Sequence, residues 1–309
     1  MNFSKPILLI TFRRPEFTSI ILKKIKEIKP KILYVVSDGP KFEKDIINVN
    51  KCRKIINNIN WCNVKKKFFK KNIGLKFVGP LSINWIFRNE DECIILEDDT
   101  IPTKSFFYFC EKNLNKYYNN KKISQISGTN ILNPSLLNNF SKSYFFSKYS
   151  NIWGWATWKD RWSDYDYNMN KWKIFEKKLN KQCYFKKEYR WWKKMFNIAY
   201  YKKNYHNWDY QWTYINFLKK RYSIVPRINL ITNPGLVNAS GENPKKVFNL
   251  KSFEISFPLN HPKNISLNKN LDRIICNNIY SMPNLSYRIK NKIKKYLNFL
   301  KSLISNFII

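Results

Sequence analysis

From Pro6 to Tyr118 the chain switches repeatedly between short apolar runs and longer segments with helical spacing, and this alternation restricts the fold more than any other feature. Ile7 to Phe12 is a buried-strand run. Pro15 to Ile28 then carries Phe17, Ile20, Ile21, Leu22, Ile25 and Ile28 at helical intervals, with Pro15 suited to an early helix position. Ile32 to Val36 predicts a second strand, ended by the turn sequence Ser37-Asp38-Gly39-Pro40. A helix over Glu43 to Ile56, a strand over Val64 to Phe69, a helix over Leu75 to Phe87, a strand over Cys93 to Leu96 and a helix over Thr103 to Tyr118 follow. This order predicts an α/β fold with a doubly wound, mainly parallel sheet flanked by helices. Ligands of such sheets bind beyond the carboxyl ends of the strands. Arg13, Asp38 and Glu97-Asp98-Asp99 each follow a strand directly, so the fold would deliver them to one edge.

Beyond Ile123 the pattern loosens. Ile123 to Ile126 reads as a strand, Asn151 to Trp162 is tryptophan-rich, and Trp172 to Tyr205 reads as a basic, aromatic helix. Ile224 to Thr232 reads as one strand with Pro226 on an edge, and Asn233 to Pro262 as loops. Toward the C-terminus Ile289, Ile293, Leu297, Leu300, Ile304 and Ile308 recur at helical spacing, with lysines and Arg288 on the other face. A basic amphipathic helix of this kind can lie in a membrane interface, or pack on the domain with its lysines solvated.

The formal net charge is +36 over 309 residues, with 17% aromatics. Such a field attracts anionic nucleotides, nucleic acids and anionic lipid surfaces. The abundance of Lys, Asn, Ile, Phe and Tyr is also what A/T-rich codons would produce without any partner. None of the six cysteines forms a C-x-x-C pair or a zinc-site spacing, and Cys93 and Cys110 read as buried thiols. Neither a signal segment nor a run of the roughly 20 apolar residues that span a bilayer is evident. The expectation is a cytoplasmic protein, soluble or peripheral on the inner face of the membrane.

Three consecutive carboxylates in so basic a chain need a counter-charge. A hard divalent cation supplies one, sharing carboxylate oxygens with substrate phosphates. The alternative is a solvated acidic turn beside Lys104. Ile94-Ile95-Leu96-Glu97-Asp98-Asp99, with Pro102 and Ser105-Phe106-Phe107 after it, resembles the nucleotide-sugar site of GT-A glycosyltransferases. The N-acetylglucosaminyltransferase I type, with its Glu-Asp-Asp variant of the Asp-x-Asp motif, is the nearest form. The resemblance runs from about Pro6 to Pro234. It implies Asp99 as ligand of a manganese or magnesium ion, with Glu97 and Asp98 near the ribose or sugar. It also implies donor contacts from Thr11 and Arg13 at the end of the first strand, Asp38 at the base, and Lys76 toward the diphosphate. The histidine that the family often carries in the helix before the motif is missing here. On this reading residues 1–130 form a nucleotide-sugar-binding half, 131–262 an acceptor-side half of the same catalytic domain, and 263–309 a C-terminal extension.

Trp153-Gly154-Trp155 is similar to the family's segment beside the donor sugar. Tryptophan faces suit the C–H faces of sugars, and glycine permits close backbone approach; the competing reading is aromatic core packing. An inverting transfer also needs a base for the acceptor hydroxyl. Trp208-Asp209-Tyr210-Gln211-Trp212 corresponds to the family's Trp-Asp-Asp-Trp stretch, which makes Asp209 the candidate, with Trp208 beside the acceptor. Asp209 could equally cap a helix from Tyr210 to Lys220, and Asp164 and Asp166 are secondary candidates. The implied activity is hexosyl transfer from a nucleotide sugar, UDP-linked on the resemblance, to a glycan or lipid-linked acceptor in cell-surface polysaccharide synthesis. The rivals are a nucleic-acid-binding protein, which the acidic triplet argues against, and another metal-dependent nucleotide enzyme such as a nucleotidyltransferase.

Overall fold

The computed structural model describes residues 3–201, 207–234 and 250–280. The predicted alternation is present in order: β1 (Ile7–Thr11), α1 (Pro15–Glu27), β2 (Ile32–Ser37), α2 (Ile46–Asn57), β3 (Asn63–Phe68), α3 (Leu75–Ile86), β4 (Glu92–Glu97), β5 (Ile101–Pro102), α4 (Lys104–Tyr117) and β6 (Ile123–Ser127). Then come β7 (Tyr144–Ser147), β8 (Trp155–Trp158), α5 (Lys159–Trp162), α6 (Trp172–Glu176), α7 (Lys186–Tyr201), α8 (Asp209–Leu218), β9 (Tyr222–Pro226), β10 (Ile231–Thr232) and α9 (Lys269–Asn278).

Among the described residues, eight strands form one sheet in the order β3-β2-β1-β4-β8-β6-β9-β7. The β3-β2-β1-β4 half is parallel throughout. β8 runs antiparallel between β4 and β6, and β7 antiparallel beside β9. Alternating side chains of the central strands enter two different cores. Ile7, Leu9, Ile94 and Leu96 pack with α1 and α4. Leu8, Ile10, Cys93 and Ile95 pack with α3 and with Trp155, Trp162, Trp208 and Trp212. Both faces are covered, which is why these strands read as unbroken apolar runs. A third core gathers Trp172, Trp192, Phe196, Phe217 and Ile275 from α6, α7, α8 and α9.

Two expectations are corrected. Trp172 to Tyr205 is not one helix: α6 and α7 are separate, with Leu179 buried in the turn between them, and residues 202–205 lie outside the described residues. Ile224 to Thr232 is two strands in two sheets. Pro226 ends β9, which is an inner strand between β6 and β7. Pro226 is tolerated because β6 pairs with β9 only as far as Ile224, so no ladder bond needs its missing N–H. β10 pairs instead with β5, and Thr103 N–H donates to Leu230 at 2.9 Å, tying the segment after the acidic triplet to the second half of the chain. Residues 250–262 hold neither helix nor strand. Their Glu254 nevertheless caps α4, accepting the N–H of Lys104 (3.0 Å) and of Ser105 (2.7 Å). The amphipathic segment at the C-terminus lies outside the described residues.

Candidate active site

The parallel registers decide what meets at the sheet edge. Ile10 lies opposite Glu97, and Thr11 opposite Ser37. The residues that follow must therefore emerge together. Asp38 N–H donates to the Thr11 carbonyl at 3.0 Å, and Phe12 N–H donates to Asp98 Oδ2 at 2.9 Å. The turn after β4 is closed by Thr100, whose Oγ1 both accepts Glu97 N–H and donates to the Glu97 carbonyl at 2.9 Å.

The counter-charge of the triplet is Arg14. Its Nη1 donates to Asp98 Oδ1 and to Asp99 Oδ2, each at 2.8 Å. Burial works against the guanidinium charge, but the two carboxylates outweigh it and hold Arg14 above its ordinary range. Arg13, the residue singled out from the sequence, turns away and pairs with Asp45. The physical reason is the step from strand to helix: successive side chains diverge there, and only Arg14, just before Pro15, faces the triplet. Burial raises Asp98 above its ordinary value, opposed by Arg14 and by the Phe12 N–H. Glu97 is pushed up to about 8, first by burial, then by Asp99, Asp98 and Asp209, with Arg14 opposing.

Asp38 is present at the edge but fully occupied. Its Oδ1 accepts from the N–H groups of Gly39 (2.8 Å) and Ile73 (2.9 Å). Its Oδ2 accepts from Asn72 Nδ2 (2.9 Å) and Gly74 N–H (3.1 Å). Three of these four contacts pin the loop before α3 to the end of β2. Thr11 is buried with its hydroxyl on the Val36 carbonyl, at 3.1 Å. Lys76, at the start of α3, lies over the rings of Tyr167 (5.1 Å) and Phe77 (5.5 Å).

The tryptophan segment divides. Trp153 is half-buried, while Trp155 and Trp208 are 1% and 2% exposed and stack into the core with Trp162 and Trp212. The expectation that Trp155 and Trp208 face a sugar is thereby corrected: other indoles cover them. Gly154 is required, with φ +62°, but the group that approaches it is Ile231; an added Cβ would meet the Ile231 Cδ1 at 2.4 Å. Gly79 on α3 is required for a related reason, because a Cβ there would meet Trp208 Nε1 at 2.4 Å. Trp208 thus locks α8 against α3.

Asp209 follows Trp208 as the first residue of α8. Its Oδ1 is buried with no hydrogen-bond partner. Burial pushes it up to about 6, with the N–H groups of Asp209 and Tyr210 acting against the shift. Its charge reaches Glu97, which links the α8 terminus to the acidic triplet. Tyr165, unremarked in the sequence, donates to the Trp208 carbonyl at 3.2 Å and stacks on Trp162. Burial first, then Asp209, keeps its phenol protonated. The secondary base candidates are engaged elsewhere: Asp164 pairs with Arg221 (2.6 Å) and Lys219 (2.9 Å), and Asp166 closes a turn on the N–H groups of Asn168 and Asn170.

Among the described residues no group of three or more His, Cys, Asp or Glu side chains forms a metal cage. Both Asp98 oxygens are engaged, by Phe12 N–H and Arg14, whereas the Asp99 side chain is 15% exposed and offers hard carboxylate oxygen to a cation that would take its remaining ligands from phosphate and water, the usual arrangement for magnesium in nucleotide enzymes.

No protein-family model matches the sequence, and neither does any curated protein. Among solved structures, the mannosyltransferase PcManGT from Pyrobaculum calidifontis, in complex with GDP-Man and Mn2+, is similar at TM-score 0.35 and 11% identity. The match covers 50% of this chain and 45% of that one, so the chain spans under half of its length. The 4-diphosphocytidyl-2C-methyl-D-erythritol synthase from Anaerococcus prevotii matches at TM-score 0.31 and 11% identity over 59% and 79% of the two chains. A UDP-glucose pyrophosphorylase complexed with UDP-glucose matches at 0.28 and 12% over 48% and 62%. These partial likenesses leave the functional reading to rest on the site itself.

Proposed function

We propose that this protein is an inverting, metal-assisted glycosyltransferase that moves a sugar from a nucleotide donor, UDP-linked on the sequence resemblance, to an acceptor hydroxyl in glycan synthesis. The observation that carries the reading is one shared edge. The ends of β1, β2 and β4 meet there, and Asp209, with its Oδ1 unpartnered, lies within electrostatic reach of Glu97.

Asp99 would hold a manganese or magnesium ion, which when bound neutralises charge on the diphosphate. Arg14, already held at the Asp98 and Asp99 carboxylates, supplies a second cation at that place. Asp209 takes the proton of the acceptor O–H as that oxygen forms its bond to the anomeric carbon. The bond from that carbon to the diphosphate oxygen breaks, and its electron pair leaves with the nucleoside diphosphate. With its pKa near 6, Asp209 is anionic at neutral pH yet basic enough to accept a proton.

The test is a thermal-shift screen of nucleotide sugars with and without manganese, on the wild type and Asp99→Ala, with product analysis. A ligand at about 100 times its Kd stabilises the fold by roughly 2.7 kcal/mol. The expected result is a manganese-dependent shift that Asp99→Ala removes, with a nucleoside diphosphate as product. A nucleoside monophosphate or pyrophosphate as product would assign the site to a nucleotidyl-type enzyme instead.

A further inference from the structure

We infer that the outer face of α6 and α7 is a docking surface for an anionic phospholipid membrane. The region 171–201 carries ten Lys or Arg against two Glu. Neither glutamate offsets the face. Glu188 is fully buried against Lys148, and Glu176 is paired with Lys193 at 3.1 Å. α7 turns Trp192 and Phe196 into the third core and leaves Arg190 and Lys194 exposed.

Between these cations runs a groove of about 540 Å³, lined by Arg190, Lys193, Lys194, Asn197, Ile198 and Tyr201. Its rim is cationic, and Ile198 and Tyr201 give it apolar walls. Tyr201 is 56% exposed with Lys173 of α6 over its ring at 4.6 Å, and Ile174, next to Lys173 in the chain, is 67% exposed. An apolar side chain projecting from a cationic face is what a headgroup layer over acyl chains accepts. A nucleic acid would use the charge but has no use for Ile174.

The chain's own terminus does not suit the groove. Tyr280 packs on the inner side of α7, with its ring 4.9 Å from that of Trp192, and the sequence beyond it is itself strongly basic. Like charge disfavours that sequence as occupant and favours an anionic one. Sugar transfer is not required for this inference, so vesicle binding tests it separately from the catalytic reading.

The experiment is co-sedimentation of the full chain with vesicles of phosphatidylcholine alone or mixed with phosphatidylglycerol, alongside anisotropy with a single-stranded oligonucleotide. The variants are Arg190→Glu with Lys194→Glu, Ile174→Asp, and a charge-matched control on α4, Lys112→Glu with Lys116→Glu, with thermal melting to verify folding. Wild type should bind only vesicles containing phosphatidylglycerol. The α7 pair should weaken binding by about tenfold or more, the α4 pair far less, and Ile174→Asp should remove the part that survives high salt. The inference is overturned if wild type ignores the anionic vesicles, if the α4 pair loses as much as the α7 pair, or if the α7 pair loses only oligonucleotide binding.

Discussion

Two groups of carboxylates among the described residues are held in opposite ways. In the third core, Glu188 accepts from Tyr149 Oη and from the Tyr184 N–H and pairs with Lys148 Nζ at 2.7 Å. Asp272 beside it accepts from Ser147 Oγ (2.6 Å), Tyr184 Oη (3.0 Å) and the Lys148 N–H (3.2 Å). Near the sheet edge, Asp209 leaves one buried oxygen, Oδ1, without a partner, and its charge reaches Glu97. Acidity does not separate the two places, since burial pushes Asp272 up to about 6 as well. Hydrogen-bond satisfaction does. A buried polar group without a partner costs stability, and Asp209 Oδ1 is one. The satisfied network ties β7, α7 and α9 together; the unsatisfied oxygen of Asp209 belongs to a group whose charge reaches the acidic triplet.

The sharpest way to break this comparison is to remove one carboxylate from each place. Glu188→Ala strands the buried Lys148 charge and should cost about 3–5 kcal/mol of stability, read by urea unfolding. Asp209→Asn, which replaces an unsatisfied group, should leave the unfolding midpoint unchanged or raise it. Equal losses in the two variants would make Asp209 a structural residue like Glu188.

A smaller effect should appear in the pH dependence. Glu97 and Asp209 titrate near 8 and 6 in the folded chain, above their ordinary values of 4.5 and 3.8. Between those limits the native state binds protons that the unfolded chain has released. The contribution of this pair to stability is therefore highest at the acid end and declines as pH rises from about 4 to about 8. Asp272 adds to the same slope over a narrower window. Glu97→Gln should flatten the slope between about 6 and 8, where neither aspartate contributes much. A slope unchanged by that substitution would mean that Glu97 is not held protonated.

The parallel half of the fold was legible because its strands are buried on both faces and its helices are amphipathic; both patterns are local. The convergence of Asp38 with the triplet followed from strand ends alone. The choice between Arg13 and Arg14 was not legible, because adjacent residues differ only in direction at a strand-to-helix turn. The tryptophans misled for a related reason: Trp155 and Trp208 suit a sugar face or a core equally by type, and only their mutual stacking decides. β7 and β8 are four-residue strands inside aromatic-rich sequence, too short to show a period. The network of Lys148, Glu188 and Asp272 joins residues far apart in the chain and leaves no local trace.

The central claim is that Asp209 and the acidic triplet are one site with divided roles. The measurement that bears on it most directly is nucleoside diphosphate release from the donor by Asp209→Asn, alongside the manganese-dependent thermal shift of the same variant. Release should fall by about 10²–10⁴-fold while the shift stays as in the wild type. Release at the wild-type rate, or a shift lost together with it, would contradict the claim.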